Sequence, residues 1–287
     1  MGISIGQNIA SIQAQRQLSR STLARESVFQ RLSSGQRINR AADDAAGLAI
    51  ADSLRAQQRI SGVAIRNAND GISLIAIADG ALSEIGGVLT RLAELSEQSA
   101  NGVFSLNQRS ALQAEFSALG SEIERISNVT EYNGVRLLSG TSSIALQVGF
   151  DAGSTAQIVI NNVQGSLQSV GLAATGSSVL SFSIVGGATS LDAQSSARTA
   201  LDAVNRAIAS LAATRGSLGS AESRLRVAIN NLESTRENQA AAESRIRDAD
   251  IASDSAELTR LGILQQAGAA VLAQANQQPA IALSLLG

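Results

Sequence analysis

Ile75, Ala78, Leu82, Ile85, Leu89 and Leu92 step along the chain by 3-4-3-4-3. At that interval one stripe of an α-helix faces a partner helix. Ala64, Ala68 and Gly71 carry the stripe backward with small residues, so the partner must approach closely. Read as one helix from about 45 to 99, this segment spans roughly 80 Å at 1.5 Å per residue. A helix of that length cannot bury its stripe alone. The fold therefore needs at least one other long helix beside it.

Candidates stand on both sides. Ser105 and Gln108 have capping-box spacing, and Leu112, Phe116, Leu119, Ile123 and Ile126 follow them at helical intervals. In the second half Leu201, Val204, Ile208 and Leu211 lead to Leu218, Leu225, Ile229 and Leu232. Arg215 and Glu222 fall on seam positions between them, read as solvent-facing registry breaks rather than as an intersubunit ion pair. Asp43 or Asp44 can cap the long helix, and Asn101-Gly102 ends it. The middle changes period: Ile144, Leu146, Val148 and Phe150 alternate by two, as do Ile158 and Ile160. This predicts a β-hairpin, with Leu180, Phe182 and Ile184 as a further strand. The uncharged stretch 161–178 reads as loop, and Asn133-Gly134 as a turn. The expected fold is mainly α: a long antiparallel, coiled-coil-like rod formed by the N- and C-terminal halves, with a small β-hairpin region in the middle. The chain ends then lie at one pole and the β patch at the other.

The tips differ from the ladders. Residues 1–15 carry no charge, and none follows Arg260. Ile5, Ile9 and Ile12 at one end, and Leu261, Leu264, Gly268, Val271, Leu272, Ala275 and Leu285 at the other, read as apolar helix faces. Two such faces need cover, and are expected to bury against each other and against other molecules in an assembly. Six amides and Pro279 in the last segment, and amides among the first apolar residues, argue against a membrane span or a cleaved signal.

Composition narrows the function further. The 287 residues include no His, Cys, Trp or Lys, carry a net charge of -2, and are only 2 % aromatic. The usual zinc sites, His- or Cys-based nucleophiles and Lys-dependent phosphate loops cannot be built. No charge excess points to nucleic acid. Asp248, Asp250, Asp254 and Glu257 lie among Arg245, Arg247 and Arg260 and lack calcium-loop spacing, so they read as a solvated, charged hinge. Asn128-Val129-Thr130 is a chance glycosylation triplet. No catalytic residue, metal or cofactor is expected; the chain reads as a structural protein.

Specific motifs then appear. Arg31-Leu32-Ser33-Ser34-Gly35-Gln36-Arg37-Ile38-Asn39, followed by Ala41-Ala42-Asp43-Asp44-Ala45-Ala46-Gly47, resembles the conserved N-terminal region of bacterial flagellin. Arg66 to Ser73, Tyr132-Asn133-Gly134 and Gln147-Val148-Gly149 are similar to further flagellin blocks. Gln265-Gln266-Ala267-Gly268 and Val271 to Gln277 resemble the flagellin C-terminus.

The resemblance implies a filament subunit secreted to the bacterial flagellum, extracellular or periplasmic. In that family, 1–42 and 248–287 would form inner-core terminal helices that fold on polymerisation. Segments 43–140 and 188–247 would form the outer-core rod, and 141–187 the hairpin and loop, without most of the outer variable domain. Self-assembly would fall to Ile5, Ile9, Ile12, Leu261, Leu264, Val271, Leu272 and Leu285. Implied partners are other subunits, hook-associated junction and cap proteins, an export chaperone on the C-terminal helix, and a host Toll-like receptor at Arg91, Leu95 and Glu115. Ala93 and Glu97 depart from the better-known receptor pattern, and Ile5-Gly6-Gln7-Asn8-Ile9 from the usual start. The nearest rival is the hook–filament junction protein; those usually carry proline after the paired aspartates, where Ala45 stands here.

Overall fold

A computed structural model describes residues 7–139, 143–150, 153–161, 163–187 and 189–286, with side chains through 277. The elements are α1 (Ile9–Ser34), α2 (Ala45–Ala100), α3 (Leu106–Val129), β1 (Glu131–Tyr132), β2 (Val135–Arg136), β3 (Ile144–Gln147), β4 (Gln157–Ile160), α4 (Ser190–Arg247) and α5 (Ile251–Leu286). They group into two compact units: Met1–Gln58 with Arg236–Gly287, and Arg59–Thr235.

Local chemistry sets the helix ends. The Asn8 side chain accepts from the Ser11 N–H at 3.0 Å and starts α1; Gly35, at φ 68, stops it in the left-handed conformation a glycine tolerates. Of the two aspartates, Asp44 caps α2, accepting from the Gly47 N–H at 2.8 Å. Asp43 instead accepts from the backbone N–H groups of Asn39 and Arg40, which, Arg40 first, hold its carboxyl below the ordinary value. The Ser105–Gln108 capping box forms at the start of α3. Asp250 caps α5 through the Ala252 and Ser253 N–H groups.

The middle unit holds the core. Ile75, Ala78, Leu82, Ile85, Leu89 and Leu92 are all buried, as are Ala64 and Ala68. Within this unit α2 and α4 run antiparallel: Arg215 bonds Asp79, and a Cβ on Gly86 would lie 3.3 Å from Leu211 Cδ2. The α4 face is small, with Ala193, Ala197, Ala200, Ala203, Val204 and Ala207 buried before Leu211, Leu218, Ala221 and Leu225. Short side chains let two helix backbones approach closely. Phe116 and Ile123 of α3 complete the layer at 0 % exposure. By length and composition α2 also passes for a membrane span; its apolar seam is taken up by this core.

Arg215 and Glu222 lie on the solvent side, as the sequence reading has it, but they do not break the seam. Arg215 makes a bidentate pair with Asp79, Nε to Oδ1 at 2.7 Å and Nη2 to Oδ2 at 3.1 Å. Glu222 pairs with Arg226 one turn on, at 2.7 Å. Both are contacts inside the chain. The buried position beside Glu222 is Ala221, so the seam shifts by one residue and continues unbroken.

β1 and β2 pair Glu131 with Arg136 and Tyr132 with Val135. Asn133 at φ 51 and Gly134 at φ 78 make the two-residue turn whose twist matches the strands. β3 and β4 pair Ile144 with Ile160 through Gln147 with Gln157. This hairpin docks on α2: Asn67 donates to the Gln147 carbonyl at 3.1 Å. A Cβ on Gly71 would sit 2.2 Å from Leu146 Cδ1, so a larger residue there would require the Leu146 side chain to shift.

The third strand does not form; Leu180 makes only an isolated bridge with Ala173. The alternation is real, since Ile184 is buried, but its backbone is satisfied by helix side chains. Gln113 Oε1 accepts from the Ile184 N–H at 2.7 Å, and Ser99 donates to the Ile184 carbonyl at 2.8 Å. A ladder partner is unnecessary. The loop expected over 161–178 has no named helix or strand among its described residues, yet it is packed: Val163, Leu167, Val170 and Leu172 are all buried.

Candidate assembly surface

The terminal unit contrasts with the middle one. Among its described residues, the buried apolar side chains are Val28, Ile38, Ala51, Leu261 and Ala275. Against these stand exposed Ile9, Ile12, Leu23, Phe29, Ile50, Ile251, Ile263, Leu264 and Val271. Helices α1 and α5 lie antiparallel, but much of what joins them is polar. Asn8 donates to the Ala275 carbonyl at 2.7 Å, Ser11 to Asn276 at 2.7 Å, and Gln265 to Thr22 at 3.4 Å; Arg25 bonds Gln265. Arg31 closes the pair on Asp254 through Nε at 3.2 Å and Nη2 at 2.7 Å. That hydrogen bond is the first cause holding the Arg31 pKa above its ordinary value.

The connecting segments are stapled to each other. Gln36 and Asp248 form an antiparallel bridge, flanked by Arg37 N–H to the Arg247 carbonyl at 2.6 Å and Ala249 N–H to the Gly35 carbonyl at 3.0 Å. Arg247 also reaches Gln36 at 3.1 Å. The charged cluster read as a solvated hinge therefore caps, pairs and bridges. Among the described residues no acidic group has the arrangement of a metal site.

The candidate assembly residues divide. Ile9 is 60 % exposed, Ile12 48 %, Leu264 43 % and Val271 59 %, and Leu272 is partly covered. Leu261 is a correction: it is buried inside the chain, because its side of α5 is already covered. Ile5 lies outside the described residues, as does the side chain of Leu285. Leu23, Phe29 and Ile263 belong to the open apolar surface and were missed. Leu23 and Phe29 lie among charged and amide residues that mask any stripe, and Ile263 falls off the 3- and 4-residue steps that run from Leu261 through Leu264.

The receptor triad also divides. Arg91 Nη2 meets Glu115 Oε1 at 2.9 Å, and Nη1 meets Glu94 at 2.8 Å. These carboxylates, Glu94 first, raise the Arg91 pKa. Leu95 is 0 % exposed and is corrected from a contact residue to a core residue: the position one turn beyond Arg91 already points into the helix seam. Sharing a helix face by spacing did not give Leu95 the exposure of Arg91.

Comparison with known proteins places this arrangement. Residues 5–143 match the bacterial flagellin N-terminal helical region, and residues 201–286 the bacterial flagellin C-terminal helical region. The chain is 40 % identical over 283 residues to a flagellin of Halalkalibacterium halodurans, covering 98 % of this chain and 99 % of that one. It is 40 % identical over 306 residues to a flagellin of Bacillus subtilis, again covering 98 % and 99 %. A flagellar filament 33 kDa core protein of Treponema phagedenis is 35 % identical over 294 residues, with 98 % and 99 % covered. With both terminal regions matched and relatives aligned along nearly their whole length, this chain belongs to the flagellin family.

Proposed function

We infer that the chain is a structural subunit that polymerises into the bacterial flagellar filament. The observation that carries this reading is the apolar surface of the terminal unit, uncovered within one chain, in a member of this family. Among its described residues, five buried apolar side chains give that unit little to set against the entropy of ordering two long helices. Identical faces on neighbouring subunits supply the missing cover, and a head-to-tail arrangement that does not close on itself yields a filament. The junction-protein alternative is not favoured, since its family mark, proline after Asp43-Asp44, is replaced by Ala45. Purified chain added to sheared filament seeds should extend them into long tubes under the electron microscope. Growth that stops after one or two layers would overturn the subunit reading.

Within that function, 1–42 and 248–287 act as inner-core helices and 43–140 with 188–247 as the outer core, carrying the 141–187 hairpin. Ile9, Ile12, Leu264, Val271 and Leu272 provide the intersubunit apolar face, with Ile5 and Leu285 continuing it. The subunit is exported unfolded to the outside of the cell, its C-terminal helix held beforehand by a chaperone. It meets hook-associated junction and cap proteins at the filament ends.

Receptor binding rests on Arg91 and Glu115 alone, with Leu95 supporting the helix from beneath. An Arg held by two carboxylates is preorganised for an interface. Arg91→Ala should weaken Toll-like receptor signalling by soluble monomer; an unchanged dose response would refute the assignment.

A further inference from the structure

Arg109 is 0 % exposed, and the acceptors around its guanidinium are backbone carbonyls. Nε donates to Phe104 O at 3.1 Å, Nη2 to Asn101 O at 3.0 Å, and Nη1 approaches Ser190 O at 3.5 Å. It thus gathers the chain leaving α2, the chain entering α3 and the first residue of α4. The carbonyl end of α2 favours a cation there. One of these acceptors belongs to an exposed Asn followed by Gly, outside any helix or strand.

We propose that Asn101-Gly102 is a site of spontaneous deamidation and isomerisation, and that buried Arg109 restrains it. The chemistry needs only water. The Gly102 backbone nitrogen, losing its proton, attacks Asn101 Cγ. The new C–N bond closes a five-membered succinimide, the bond from Cγ to the side-chain nitrogen breaks, and ammonia leaves. Water then opens the ring at either carbonyl, giving aspartate or isoaspartate.

Two features favour the reaction here, and a third restrains it. Gly102 has no side chain to block the approach. Asn101 Oδ1 accepts from the Val103 N–H at 3.3 Å, which turns the carboxamide along the following chain and polarises its carbonyl. The main-chain carbonyl of Asn101 must rotate for the ring to close, and the Arg109 Nη2 bond opposes that rotation. The second Asn-Gly pair, Asn133-Gly134, is an internal comparison. It forms the two-residue turn between paired strands with Asn133 at φ 51, and ring closure there requires the hairpin to come apart.

Either product carries a new carboxylate beside the main-chain carbonyl that Arg109 holds, and isoaspartate also lengthens the backbone by one carbon there. The reaction also adds negative charge to a groove already lined by Glu94 and Glu97. Subunits that stay in place for long periods would accumulate it irreversibly.

The test is peptide mapping by mass spectrometry, with isoaspartate labelling, of the full chain incubated at mildly alkaline pH. The denatured chain gives the unrestrained rate at both sites. In the native wild type, Asn101 should react faster than Asn133 and slower than in denaturant. Arg109→Met should accelerate Asn101 by at least about tenfold, near the low end for losing a hydrogen bond to a charged group, and leave Asn133 unchanged. Should that variant unfold, shown by Asn133 reaching its denatured rate, Arg109→Lys serves instead, because it keeps the charge with fewer directed donors; a selective rise at Asn101 supports the restraint. Modification at Asn133 first, or no selective acceleration at Asn101 in the folded variant, overturns the proposal.

Discussion

Deleting residues 261–287 is expected to abolish seeded filament growth while leaving the middle unit folded. The deletion removes Leu264, Val271 and Leu272, proposed to lie between subunits, and Leu261 and Ala275, which are buried within the chain. The α1 face loses most of α5, including the Ala275 carbonyl and the Asn276 side chain that Asn8 and Ser11 contact. The main hydrophobic cluster runs from Ala68 to Leu225 and contains none of the deleted residues. Helical circular dichroism should fall by the lost terminal helices, and the cooperative melt of the remainder should persist. A truncated chain that still elongates seeds at the wild-type rate would remove the terminal face from the mechanism.

The second large effect lies in the opposite unit. Leu89→Ala should destabilise the middle unit by about 3–5 kcal/mol, the cost of a large-to-small change in a core that cannot collapse. Leu89 is 0 % exposed, and the seam of α4 facing this part of α2 is made largely of alanine. Alanine side chains cannot extend into the vacated space, and two helix backbones already in close approach cannot move nearer. A unit of this size should then lose roughly 6–20 °C in melting temperature. A loss below about 1 kcal/mol by denaturant titration would mean that the seam can repack.

The helices were legible because their residues obey one period over many turns. Ile75 to Leu92 had no other way to share a face, and Ser105 with Gln108 announced the start of α3 by chemistry alone. The β3–β4 hairpin was legible for the same reason at period two. Where the sequence misled, two structures satisfied one pattern. Leu180, Phe182 and Ile184 alternate as a strand would, but Gln113 and Ser99 take the backbone bonds of Ile184, and side chains from distant segments leave no local trace. Leu95 sits one turn from Arg91, yet spacing cannot say which of two neighbours the core claims. Glu222 stood on the seam by counting; the neighbouring alanine fits between helices where a carboxylate would be desolvated.

Part of the assembly surface was visible as the missing charge at both tips. That absence located Ile9, Ile12, Leu264 and Val271. It could not separate the side of each terminal helix that meets the other from the side left open, so Leu261 was placed on the wrong side. Leu23 and Phe29 lay beyond the uncharged stretch and drew no attention. Arg109 had no signal at all: one Arg in a polar run at the start of a helix looks solvated until the carbonyls around it are seen.

On the proposed function, the terminal helices lack sufficient cover within one chain and gain it from neighbouring subunits. Hydrogen exchange resolved by peptide, on monomer and on assembled filament, reads this directly. Amides of α1 and α5 should exchange far faster than those of α2 between 75 and 92 in the monomer, and become comparably slow in the filament. Equal and strong protection of α1 and α5 in the monomer would contradict the account.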